Sequence, residues 1–294
     1  MTDNTNTNTN TTNNALNFGF GNAKLSLAIS HFSLPSGHTC PFAKDCLSKA
    51  DKVTGKITDG KNCKFRCFSA SQECTYPPTR KQRWNNFEKL IEADTTKKMA
   101  MLIQDSLPKE FTTIRVHIAG DFFNEKYFLA WLNVAYNNPQ KTFYGYTKAL
   151  PFLVKYKDVL PYNFRFTASK GGTHDHLIKQ YNLRYAEVVY SLFEAKYKGL
   201  EIDHNDSCAI VGTNNFALLL HNVQPSGSDA AEAWQKLKNA GIGGYNEKRQ
   251  RFGDINKPSQ PKWQIYVSIS KSGKIILNKD NNKDKVKNEN PTYA

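Results

Sequence analysis

Five of the six cysteines in this chain of 294 residues fall within residues 38–76. They are Cys40, Cys46, Cys63, Cys67 and Cys74, separated by five, sixteen, three and six residues. Thiolates are soft ligands, and several on one loop hold zinc or an iron–sulfur cluster through strong bonds. Disulfides are one competing use, and inert burial as small hydrophobes is another. The first residues lack the charged, apolar and small-residue pattern of a secretory signal, so the expectation is a cytoplasmic chain with reduced thiols. Unrelated core cysteines rarely crowd beside Pro41, Lys44, Asp45 and Gly60, which favours a metal or cluster site.

Other reactive side chains lie where predicted strands stop. In parallel βα proteins that rim is open, whereas strand interiors are packed. The strand ends carry the cysteine stretch, then Gly120-Asp121, Thr147-Lys148, Ser169 to Gly172, and Glu194. Asp121, a carboxylate just past a glycine, suits a ligand amine or hydroxyl. Lys148 suits an anionic group, with a solvated lysine as the alternative. Ser169, Gly171 and Gly172 suit a phosphate or carboxylate held by backbone N–H groups at a helix start. Arg115 and His117 lie on a strand, and for both a structural role is the first expectation. His221, Asn222, Gln224 and Ser226 follow another strand-like run.

The elements that must position these groups are legible from periodicity. Residues 24–34 alternate Leu25, Leu27 and Ile29 with small residues and predict a strand, stopped by Pro35-Ser36-Gly37. The cysteine stretch therefore leaves the end of a first strand. Within it, residues 49–62 are polar with two glycines and predict an excursion between ligands. Helical spacing appears at Trp84, Phe87, Leu90 and Ile91, and again at Met99, Leu102 and Ile103 ahead of Pro108. Strands predicted over 112–121, 141–148, 162–169 and 185–193 alternate with helices over 125–136, 152–159 and 174–181. Residues 209–220 predict two strands around Gly212, and 228–239 a helix capped by Ser228 with Asp229 and Glu232 in its first turn. Residues 263–269 and 274–277 predict a hairpin through Ser272-Gly273.

Strands separated by helices imply an α/β domain over residues 15–278 with right-handed crossovers and a parallel sheet. The Asn/Thr-rich residues 1–14 and the charged residues 279–294 are expected to be disordered. No apolar run reaches membrane-spanning length, so no membrane partner is expected. The net charge is +14 and the pI near 9.4, which favours an anionic substrate or a nucleic acid. The charge is diffuse, with short clusters at residues 80–83 and 97–98 that read first as solvated surface.

Several stretches match one known family. They are Leu34 to Pro41 with Cys46, Thr54 to Gly60, Arg66 to Ala70, Arg83 to Phe87, Arg115 to Phe123, Tyr144 to Lys148 and His221 to Pro225. On these the chain resembles the "gene product 88" family of bacteriophages and mobile elements, which implies a host cytoplasm. The cysteine pattern is also similar to that of radical S-adenosylmethionine (SAM) enzymes. In those, three cysteines after the first strand of a partial (β/α) barrel hold a [4Fe–4S] cluster, and a glycine–acid motif after the second strand meets the SAM amino group. That resemblance implies Cys40, Cys46 and Cys67 as cluster ligands, with Gly120 and Asp121 at the SAM position; Thr147, Lys148 and Ser169, at the neighbouring strand ends, are the other cofactor-binding candidates. Here the ligand spacing is five and then twenty residues, and Cys63 is a further candidate thiolate. A structural zinc site at Cys40, Cys46, Cys63 and Cys67 in a nucleic-acid-binding or host-interaction protein without catalysis is the competing expectation.

Overall fold

A computed structural model describes residues 15–22 and 24–242, with the backbone of two further strands at Ile265–Ile269 and Ile275–Lys279. Of the two tails expected to be disordered, 1–14 and 279–294, residues 1–14 and 280–294 lie outside the described residues, while Lys279 ends a strand. The chain divides into a unit reaching Phe252 and a second unit from Gly253 onward.

The first unit begins with β1 (Gly19–Phe20), β2 (Ile29–His31), β3 (Ser48–Ala50) and β4 (Ile57–Asp59). Three helices follow, α1 (Phe68–Thr75), α2 (Pro77–Ala93) and α3 (Thr96–Ser106). Then strands and helices alternate: β5 (Thr113–Val116), α4 (Glu125–Tyr136), β6 (Thr142–Thr147), α5 (Leu150–Lys155), β7 (Phe164–Ser169), α6 (His176–Gln180), β8 (Tyr185–Val189) and α7 (Leu192–Tyr197). The unit closes with β9 (Glu201–Ile202), α8 (Ser207–Ile210), β10 (Phe216–Leu219) and α9 (Asp229–Asn239). In the second unit β11 (Ile265–Ile269) and β12 (Ile275–Lys279) form the predicted antiparallel hairpin.

Eight strands form one sheet in the order β1-β2-β5-β6-β7-β8-β10-β9. Only β1 runs antiparallel, on β2; every other pairing in the sheet is parallel. The fold is therefore mixed α/β on a mostly parallel sheet, as the βα rhythm predicts.

Side chains alternate across the sheet because successive Cβ atoms point to opposite faces. One face puts Ile114, Val116, Phe143 and Phe164 against Leu90, Met99, Ile103, Tyr127, Phe128 and Trp131 of α2, α3 and α4. Each such aromatic or aliphatic side chain stabilises the fold by roughly 1.5–3 kcal/mol on burial. The opposite face carries Ile29, Tyr144, Ala186 and Phe216, packed with Leu25, Ala209 and Ile210. That face is concave, since Lys24, ahead of β2, reaches Asp206, just before α8 and β10, at 2.6 Å.

Several predicted boundaries move, each for a local reason. The strand predicted over 24–34 shrinks to Ile29–His31, because Asn22 Oδ1 accepts from Lys24 N and Leu25 N and turns the preceding segment. The strand predicted over 112–121 stops at Val116, where His117 and then Gly120 take positive φ. The run predicted as strand to Phe193 ends at Val189, because Ser191 caps α7 by accepting from Glu194 N. Ala209 and Ile210, predicted as strand, are helical in α8. The polar excursion of residues 49–62 is a hairpin of β3 and β4. The N-caps of α3, α4 and α9 at Thr95, Asn124 and Ser228 each accept a backbone N–H and start those helices.

Candidate functional site

The loop after β2 is built to turn sharply at the rim. Leu34 N donates to Ala119 O and Ile118 N to Phe32 O, so the two chains stay paired past their strands. Pro35 O then accepts from both Thr39 N and Thr39 Oγ1, and Gly37 N donates to Cys40 Sγ at 3.3 Å. Gly37 has φ +71°, and a Cβ there would meet Ser48 O at 2.3 Å, so glycine alone lets the loop lie on β3. Gly120 is equally constrained, at φ +83° with a notional Cβ 2.5 Å from Thr39 Oγ1. Farther along, Lys44 N and Asp45 N donate to Gly171 O, and Phe65 N to Asp45 O, which clasps the cysteine loop onto the loop after β7.

These turns bring Cys40, Cys46 and Cys67 to one cavity of about 190 Å³ at the C-terminal ends of the parallel strands. Arg115, His117, Gly120, Asp121, Tyr146, Lys148, Ser169 and His221 share that lining, and Phe68, Ile118, Val188 and Leu218 make its apolar walls. Cys63 stands apart: its Sγ donates to Phe65 O at 3.0 Å and lies 3.6 Å from Ser48 Oγ, facing an adjoining groove with Lys64, Lys170 and Glu187. Cys74 is exposed, and Cys208 lies on α8. Among the described residues no three His, Cys, Asp or Glu side chains are grouped as ligands of one metal ion.

Electrostatics at the thiols follow from burial and crowding. Burial, then Asp121 and the Cys67 and Cys46 thiolates, raise the Cys40 thiol well above its usual range. Burial and Cys46 push Cys67 up to about 11. Cys67 caps α1, whose first N–H groups, on Ser69 and Ala70, favour the thiolate and offset part of that rise. A bound cation reverses this balance, because a positive centre favours thiolate over thiol. Three thiols thus line one cavity, and Gly37 N donates to one of them.

The other predicted residues divide between lining and support. Asp121 lines the cavity, but its carboxylate already accepts from Phe122 N at 2.8 Å, Thr147 Oγ1 at 2.7 Å and Lys148 N at 2.7 Å. Burial nonetheless raises its pKa, ahead of those hydrogen bonds. Thr147 is fully buried behind Asp121 as its support. Lys148 Nζ donates to Ser169 Oγ, Ser169 O and Lys170 O, so it fastens β6 to the end of β7. Gly171 N and Gly172 N donate to the Asp175 carboxylate, which takes the place expected for a ligand anion. Glu194 accepts from Tyr190 N in the groove beside Cys63, outside the cavity. Gln224 is buried and accepts from Arg66 N, fixing the approach to Cys67.

One expectation about charge is corrected by burial. Arg80 and Arg83, read as solvated surface, are 7% and 4% exposed. Arg80 donates to Lys52 O, Glu73 O and Val53 O, and Arg83 pairs with Glu73 at 2.7 Å, which itself accepts from Ser36 N and Oγ. Their work is to brace the cysteine loop. Arg115, expected to be structural, pairs with Asp206 at 2.6 Å while lining the cavity, and His117 lines it with Nε2 on the Tyr127 hydroxyl. No sequence signal separates them, because strand position does not reveal where a strand stops.

Fold and site together define an α/β protein with a three-thiol cavity at the rim of a mostly parallel sheet. The family model described as Gene product 88 matches residues 2–236, and the chain belongs to that family. No curated protein and no solved structure matches it.

Proposed function

We propose that this is an iron–sulfur enzyme of radical-SAM-like type, on an incomplete parallel (β/α) barrel, acting on an anionic substrate. The observation that carries the reading is the sorting of the thiols. Cys40, Cys46 and Cys67 share one cavity at the strand ends, while Cys63 is turned to Phe65 O and Ser48. Three protein thiolates on a four-iron cluster leave one iron open to a second ligand. When bound, such a cluster with SAM supplies the electron that cleaves the sulfonium bond.

The chain's own residues hold, orient and seal. Cys40, Cys46 and Cys67 would be the ligands, and Gly37 N–H would donate to the Cys40 sulfur. Gly120 lets Asp121 approach the cavity, and Thr147 and Lys148 N hold its carboxylate in place there. Phe68, Ile118, Val188 and Leu218 exclude water. The net charge of +14 supports an anionic, including nucleic-acid, substrate. No helix among the described residues is long and apolar enough to cross a membrane. A phage origin and a host-cytoplasmic location belong to the same reading.

A zinc site at Cys40, Cys46, Cys63 and Cys67 is the weaker reading, since the Cys63 thiol would have to leave Phe65 O. The test is anaerobic purification with metal and sulfide analysis. The expected result is brown protein with about four iron and four sulfide per chain. Iron should vanish in Cys40→Ala, Cys46→Ala and Cys67→Ala and persist in Cys63→Ala. Colourless protein with about one zinc, or iron retained in any of the first three variants, rules the assignment out.

A further inference from the structure

The strand β5 ends at Val116, and the next residue, His117, has φ +70°, a left-handed backbone that glycine adopts freely. Non-glycine residues held in that region concentrate at ligand sites, where the surrounding structure over-determines them. Here Phe32, Phe122 and Tyr127 pack on the ring, with centroids at 6.5, 4.7 and 5.6 Å. Nε2 shares a hydrogen bond of 2.9 Å with the Tyr127 hydroxyl. Nδ1 is buried without a hydrogen-bond partner, on a side chain that is 3% exposed and lines the cavity. Buried polar atoms are almost always paired, so an orphan at a cavity asks for an external partner.

The charged groups around it are already engaged. Lys148 is bound to Ser169 and Lys170, Asp121 to Phe122, Thr147 and Lys148, and Arg66 to Asp59. Burial keeps the imidazole neutral, with its pKa pushed down to about 3. A neutral ring nitrogen among apolar walls suits hydroxyl or ring-nitrogen groups on a planar, weakly polar body.

We propose that His117 Nδ1 is the hydrogen-bonding contact through which the cavity holds the nucleoside part of a small ligand beside the thiols. The proposal rests on the reading above and adds to it a residue and the ligand group that residue meets. His117 is a binding residue here, not a cluster ligand.

Two variants separate this role from a structural one. His117→Gln places its amide near the Nε2 position and keeps the Tyr127 bond; His117→Asn places its amide near Nδ1 and tolerates the left-handed backbone. Binding of S-adenosylhomocysteine, which is not cleaved, is measured by equilibrium dialysis on anaerobically purified protein, with iron content and thermal unfolding recorded alongside. The expected result is about tenfold weaker binding for Gln and a change within about threefold for Asn. Gln binding as tightly as wild type, Asn no tighter than Gln, or iron-loaded wild type that ignores the probe overturns the proposal. Iron-free protein that still binds with the Gln–Asn split upholds His117 and removes the cluster reading. Iron-loaded protein that binds without the split does the reverse.

Discussion

The concave side of the sheet has a floor and a rim, and they treat buried polarity in opposite ways. At the floor Asp206, with no exposed surface, accepts from Arg115 at 2.6 Å, Lys24 at 2.6 Å, Tyr144 at 3.0 Å and Tyr146 at 3.2 Å. Its carboxylate is held down to about 2, with burial, which raises it, outweighed by Arg115 and Lys24. At the rim the thiols of Cys40 and Cys67 are pushed up and His117 Nδ1 has no partner. A closed network stabilises a fold and leaves nothing for a ligand. Unmatched groups in a dry cavity reserve their bonding for one.

The largest test of that contrast is Asp206→Ala. It removes the buried carboxylate that Arg115 and Lys24 share, and the expected loss is about 3–5 kcal/mol of unfolding free energy in urea. A loss under about 1 kcal/mol would mean that the floor is not a network. Next comes Gly120→Ala, where φ +83° and the contacts with Thr39 Oγ1 and Leu34 Cβ predict a loss of about 1–3 kcal/mol. An unchanged midpoint would show that the two rim loops are not in contact.

The smallest effect is in pH. His117 is held near 3, below its ordinary 6.5, so below pH 6.5 the unfolded chain gains a proton that the folded chain refuses. Stability therefore falls as pH drops from 6.5 toward 3. The Asp206 contribution is complete above its ordinary 3.8 and is lost only as pH falls from there toward 2. The rim thus responds to acid before the floor does. Urea unfolding between pH 7 and 5 should give His117→Asn a slope shallower than wild type by about 1 kcal/mol per pH unit. Equal slopes would move the effect to His31, which burial and Arg115 lower to about 4.

Much of this was legible in the chain. The βα rhythm, the cap at Ser228, and the convergence of strand ends follow from periods of 3.6 and 2 and from cap chemistry. The sorting of Cys63 from Cys40, Cys46 and Cys67 was not, because it turns on which acceptor each thiol meets once β3 and β4 pair. Nor was the role of Arg80 and Arg83, since a basic cluster reads as solvated until a buried Glu73 is placed beside it. Asp121 was identified as a rim carboxylate, but its three internal donors come from residues one, 26 and 27 positions away.

Sequence by itself determined the class of fold, the family, and the presence of a thiol-rich loop leaving the first parallel strand, because local propensity and spacing are written in neighbouring residues. Only the tertiary structure decided which thiols face the cavity, which charges are satisfied and which ring nitrogen is left over. Those outcomes depend on hydrogen bonds between residues up to 179 positions apart, as between Lys24 and Asp203. No local pattern carries them.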